Sequence, residues 1–199
     1  MTFRRLRRAS LQRLRCLASD RSGSQIAEFA VALPLLLVLV VGIFDFGNAF
    51  NLKQKLTNGA REATRLGASE STSDLTQTPP KSVLAIRDLV SSYLTNARIN
   101  DCGIGTSAAN PVGASTPWKW TFTATCPNGG SFVLTVDRGY VFVSSVTTGG
   151  TAIKVISTNV SISYPYSWQF NRVIGLLVSG ASYPATTAIV VNSTMANES

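Results

Sequence analysis

A glutamate stands five residues after a glycine, at the edge of a charge-free run, in Arg21-Ser22-Gly23-Ser24-Gln25-Ile26-Ala27-Glu28-Phe29. A carboxylate at the hydrocarbon border costs about 2–3 kcal/mol even on insertion-based scales, so Glu28 calls for a partner charge. The plainer alternative is an interfacial side chain that reaches back to water. Gly23 adds a small, flexible link beside it. A second acid, Asp45, follows Glu28 by 17 residues, roughly 25 Å along a helix, near the other edge of the run. It is expected to be solvated there rather than catalytic. Cys16, Cys102 and Cys126 are the only cysteines, and no two form a Cys-x-x-Cys pair.

The chain has no histidine. That removes the commonest general base, the commonest metal ligand and any Ser-His-Asp arrangement. The cysteine spacing speaks against structural zinc. There is no glycine-rich phosphate loop, and Gly103-Ile104-Gly105-Thr106 reads as a turn. No catalytic residue, metal or cofactor is expected, and the chain does not read as an enzyme.

The formal charge of +8 is unevenly distributed. Seven of the eighteen basic residues are arginines between Arg4 and Arg21; beyond Gly23, eleven basic and nine acidic residues remain. The basicity belongs to a short tail beside an apolar span, which is a topogenic signal. A nucleic-acid-binding arm is the competing reading, but no basic, aromatic-rich groove accompanies it, and no nucleic-acid partner is expected. Leu6, Leu11, Leu14 and Leu17 are spaced so that the tail could lie on an anionic leaflet, or it could be a plain solvated leader.

The elements that position these residues follow from periodicity. Phe29–Phe44 carries no charge and continues to Leu52 before Lys53, long enough to cross a membrane. The arginines place the N-terminus in the cytoplasm and the remainder outside. Leu52, Leu56, Ala60, Ala63 and Leu66 then form one helical stripe, so the helix is predicted from Gln25 to Leu66, roughly 60 Å, with the stripe presented to other helices. Glu62 and Arg65 can pair at i,i+3, and Gly67 is a candidate helix stop. Pro34 inside the span bends the helix or is simply tolerated.

Residues 68–80 read as a loop ending in Pro79-Pro80, and Ser82–Asn96 as an amphipathic helix. From Trp118 the period becomes two. Strands are predicted over Trp118–Cys126, Phe132–Val136, Tyr140–Val146, Ala152–Tyr164 and Thr186–Thr194, with turns at Asn128-Gly129-Gly130 and Thr148-Gly149-Gly150. The expectation is an α+β chain in three parts: a basic cytoplasmic leader at 1–23, a transmembrane helix continuing outside the membrane at 24–67, and an external α+β domain with an antiparallel sheet at 68–199.

These residues carry a family resemblance. Gly23, four residues, then Glu28 and Phe29 resemble the cleavage site of class III, type IV-like prepilins. Leu33-Pro34, Gly42-Ile43-Phe44-Asp45-Phe46-Gly47 and Leu56-Thr57-Asn58-Gly59-Ala60-Arg61-Glu62-Ala63-Thr64-Arg65 are similar to the TadE-like signature. Asp45 stands where Glu is frequent, Gly59 where Ala is usual and Thr64 where Gly is usual. Looser likeness extends to Val160–Tyr166 and to the ending Thr186–Glu198. The resemblance implies a pilin-like fold and a minor pseudopilin or assembly component of the Tad (Flp) pilus or a related secretion system, TadE and TadF not being separable from these residues. It implies a cut by prepilin peptidase between Gly23 and Ser24, and a Glu28 that pairs with the new terminal amine of a neighbouring subunit. The implied partners are that peptidase, other pilin-like subunits, Tad assembly platform proteins and the bacterial inner membrane, with the outer domain periplasmic. Phe29, Pro34, Asp45, Phe46, Gly47, Arg61, Glu62 and Arg65 are the signature positions carried over.

Two readings compete. One is an unprocessed signal-anchor protein whose external β-rich domain binds something. The other is a secreted protein cut after Ala49, for which Gly47-Asn48-Ala49 is a poor site. On the predicted topology Cys16 stays on the reducing side, while Cys102 and Cys126 reach an oxidising compartment and are expected to pair. Two buried free thiols, or bonds to other subunits, are the alternatives.

Overall fold

The computed structural model describes residues 21–113, 118–148, 151–169 and 186–198. The leader, with Cys16 and most of its arginines, lies outside the described residues. Helix α1 runs Arg21–Ser69 and helix α2 Lys81–Asn96, with short 3-10 turns at Thr72–Thr76 and Ile104–Thr106. Five strands follow: β1 Asn110–Pro111, β2 Lys119–Thr125, β3 Ser131–Thr148, β4 Thr151–Ser167 and β5 Thr186–Ala196. The chain divides into two compact units, one holding α1 up to Phe44 and the other running from Asp45 through the sheet.

In the first unit the described part of α1 is apolar helix. Its most hydrophobic 18-residue window has a mean hydropathy of 2.6, and none of it is buried. Ile26, Phe29, Val31, Leu35, Ile43 and Phe44 all stand exposed. A helix this long and apolar, with its large apolar side chains exposed among the described residues, suggests a membrane anchor. The helix runs through Pro34 without interruption.

The second unit is a helix-covered sheet in the order β1-β2-β3-β4-β5, every neighbouring pair antiparallel. Alternation decides which face is dry. Trp120 and Phe122 of β2, Phe132, Leu134 and Val136 of β3, Val160 and Ile162 of β4 and Val191 of β5 share one core. Leu56, Ala60 and Ala63 of α1, with Val83, Ile86, Val90 and Leu94 of α2, fill the other side. The long helix followed by an antiparallel sheet is the predicted α+β architecture.

The structure corrects several expectations. The stripe Leu52–Leu66 is taken up within the chain itself, by the sheet and α2: Leu56, Ala60 and Ala63 are fully buried in the chain's own core, with Leu52 and Leu66 packed against it. Small residues there let a sheet and a second helix approach closely. Gly67 is not a helix stop but lies within α1, where a Cβ would stand 2.8 Å from both Ile86 Cδ1 and Thr158 Cγ2. The predicted strands at 132–136 and 140–146 are one strand, β3, with an irregularity between Asp137 and Tyr140. Asp137-Arg138-Gly139 looked like a break because a charge and a glycine interrupt the alternation. Instead Arg138 points into the core, and a Cβ on Gly139 would run into the Trp118 ring. Gly103-Ile104-Gly105-Thr106, by contrast, is the turn its sequence predicts, a 3-10 turn entered through Gly103 at φ +79° and held by a fully buried Ile104.

Candidate functional site

The N-terminal cluster is the simplest. Gly23, Ser24, Glu28 and Phe29 lie on exposed turns of α1. The Ser24 hydroxyl donates to Glu28 Oε1 at 3.2 Å, and a Cβ on Gly23 would meet nothing within 4 Å.

Asp45 is where the structure departs most from the sequence reading. It is 2% exposed rather than solvated. The Tyr166 hydroxyl donates to Asp45 Oδ1 at 2.6 Å and to its backbone carbonyl at 3.1 Å. Burial, then the hydrogen bond to Asp45 and its charge, hold the Tyr166 phenol well above the ordinary tyrosine range. Phe46 meets Trp168 edge-on at 5.4 Å, and Trp168 meets Tyr166 edge-on at 5.0 Å. The indole N–H of Trp168 donates to Thr187 Oγ1 at 2.8 Å. Strand β4, running three residues past its expected end at Tyr164, brings these rings back to α1. Gly47, next in the signature, is exposed, and a Cβ added there would have nothing within 4 Å.

Arg61, Glu62 and Arg65 lie on the solvent face of α1. The predicted Glu62–Arg65 pair does not form; among the described residues the ion pair is Arg87–Asp88 at 2.7 Å. The three side chains line, with Asn58, Thr64 and Ser193–Met195 of β5, an open groove of about 560 Å³. Thr64 is buried and donates to Ala60 O at 2.6 Å. At Gly59 a Cβ would come within 2.9 Å of the Tyr93 ring, so the bare backbone is what lets α2 pack there.

Cys102 and Cys126 form a disulfide with Cα atoms 4.7 Å apart, choosing the intramolecular option among those left open by the sequence. Its approach is fixed by side chains: Cys102 N–H donates to Asn100 Oδ1 at 2.8 Å, and Gly103 N–H to Asp101 Oδ1 at 3.1 Å. The Ser91 hydroxyl donates to Asp101 Oδ2 at 2.6 Å. That bond, more than any other contact, keeps the Asp101 carboxyl below the usual range.

Arg138 was missed by sequence reasoning. It is fully buried and closes the C-terminus of α1, donating from Nη2 to Glu70 O at 2.6 Å and from Nη1 to Ser71 O at 3.5 Å. Cations suit that end of a helix. Burial lowers the guanidinium pKa, and the charges of Asp74 and Glu70 oppose the shift. The ending of the chain completes the closure: Asn197 Nδ2 donates to Arg138 O at 3.2 Å, and Glu198 N–H to Ala68 O at 2.9 Å. The one signal in the sequence was an arginine at an inward position of an alternating run. Among the described residues no group of three or more His, Cys, Asp or Glu side chains could hold a metal ion.

Residues 23–65 match the family model described as TadE-like protein. That segment is similar to the TadE-like family. The match begins at Gly23, covers Glu28, Pro34 and the Asp45-Phe46-Gly47 step, and ends at Arg65. No curated protein matches the chain, and no solved structure does. The matched segment is a single helix whose large apolar side chains are exposed among the described residues as far as Phe44 and which is built into a domain core from Asp45 onward.

Proposed function

We propose that the chain is a minor pseudopilin, or another pilin-like assembly component, of a Tad (Flp) pilus or related secretion system. The observation that carries this reading is the coincidence of the TadE-like match with an exposed apolar helix. The role is structural rather than catalytic. The helix crosses the bacterial inner membrane with its arginine-rich end in the cytoplasm, and the disulfide-bonded sheet domain stands in the periplasm. Prepilin peptidase cuts between Gly23 and Ser24, and Glu28 then neutralises the terminal amine of a neighbouring pilin-like subunit. Two opposite charges at the lipid border relieve each other's desolvation. Because the stripe of Leu52–Leu66 is consumed by the chain's own core, contact with other subunits and with Tad platform proteins falls to Ile26–Phe44 and to the outward face bearing Arg61 and Arg65.

The test is the mature N-terminus. Sequencing of protein from membrane fractions is expected to begin at Ser24, and Glu28→Ala is expected to be cut normally yet fail to enter the pilus. A chain that begins at Met1 leaves the unprocessed, membrane-anchored binding protein as the correct reading, and normal piliation by the Glu28 variant returns that residue to an interfacial role.

A further inference from the structure

Where the charge-free span gives way to charged helix, the base of the sheet carries an exposed aromatic group. Phe46 and Phe50 are 60% and 63% exposed. They lie at i and i+4 on α1, with Ala49 between them and Lys53 one turn further on, so all four share one helix face. Trp168, just past the end of β4, lies against Phe46, and β5 adds Ile189; together the six line an open hollow of about 210 Å³. Exposed aromatic surface of this kind needs a cover.

The position decides which cover. Phe46 is two residues past the end of the Phe29–Phe44 run, and Lys53 is the first cation after it. Trp168 is amphipathic in place, its ring against Phe46 and its N–H on the Thr187 hydroxyl. Rings with one apolar and one hydrogen-bonded end are enriched at headgroup level, where a lysine can extend toward phosphate. The apolar surface of the span leads into the patch along one unbroken helix.

Resting on the reading of α1 as a membrane span, we propose that Phe46, Phe50 and Trp168, with Lys53 beside them, form a seat in the lipid headgroup layer where the helix leaves the membrane. The occupant is phospholipid, not a second protein.

The test uses the full chain reconstituted in vesicles of phosphatidylcholine and phosphatidylglycerol. Trp168 emission is taken as the difference between wild type and Trp168→Phe, which leaves Trp118 and buried Trp120 untouched. Phosphatidylcholine brominated near the headgroup is expected to quench that difference signal strongly, and lipid brominated near the chain end to quench it less. Phe46→Ser with Phe50→Ser is expected to remove the quenching while the disulfide still forms. Vesicle-bound protein whose Trp168 signal is untouched by either brominated lipid overturns the seat, whether acrylamide quenches it, as in water, or not, as under a protein partner. A chain that does not float with the vesicles overturns the span and the seat together.

Discussion

The Tyr166 hydroxyl and the Asp45 carboxylate meet at 2.6 Å across 121 residues of sequence. This bond ties the end of β4 to the helix at the point where the exposed span becomes domain core. Tyr166→Phe keeps the ring and removes this hydrogen bond to a buried carboxylate. The expected loss is about 1–3 kcal/mol, or about 2–4 °C of Tm per kcal/mol for a chain of this size. Thermal unfolding of the detergent-solubilised full chain measures it. The pH dependence has a definite sign. The folded phenol titrates above its ordinary value of 10.0, so its contribution is complete below pH 10.0 and is lost as pH rises through the folded value. Wild-type stability is expected to fall more steeply on that alkaline limb than that of Tyr166→Phe; parallel limbs would contradict the assignment.

Two glycines of α1 are expected to respond to alanine with opposite signs. At Gly67 the new Cβ would stand 2.8 Å from Ile86 and from Thr158. Overpacking of about 1–3 kcal/mol exceeds the gain of about 1 kcal/mol in helix propensity. At Gly47 nothing lies within 4 Å, so Gly47→Ala should stabilise. Urea midpoints compared at equal slope decide both.

The Cys102–Cys126 disulfide closes a loop over a sequence separation of 24. Replacing both cysteines by serine should cost about 3 kcal/mol on chain-entropy grounds. The loss should be local as well as global, because Ile104 is the one fully buried apolar side chain of the turn that follows Cys102. Limited proteolysis is expected to cut within 103–113 in the double variant and to spare it in the oxidised protein. Two alkylatable thiols in protein taken from an oxidising envelope would refute the bond.

Arg138→Met preserves most of the buried volume but withdraws the donors to Glu70 O and Ser71 O. A loss of about 1–3 kcal/mol is expected for the unpaired carbonyls, and Arg138→Ala should lose more by leaving a cavity as well. Hydrogen exchange at the last turn of α1 should rise in both. Unchanged protection there would mean that the guanidinium does not hold the helix end.

What the sequence made legible is what repeats. The 3.6 period drew both helices to within a few residues, and strict alternation in Trp118–Cys126 gave β2 and its dry face. The cysteine pair was reached by compartment alone. What was hidden depended on distant partners. Asp45 looked solvated because the ring that covers it lies far along the chain, in a strand whose end carried no period of its own. Residues 137–139 read as a gap between two strands because a buried arginine is costly unless carbonyls await it, and those belong to Glu70 and Ser71. The stripe at Leu52–Leu66 was seen correctly as apolar and small, but a stripe does not name what covers it. Here it is the chain's own sheet.

The sheet order β1-β2-β3-β4-β5 has a consequence in time. A chain delivered N-terminus first brings each strand beside one that has already arrived, so no strand waits for a mate far ahead in the queue, and early intermediates expose few open edges. The long helix is different. Its final turn is produced early, yet two of the groups that close it, Arg138 and the Glu198 amide, come late. The helix end is therefore latched only once residues synthesised long after it have arrived.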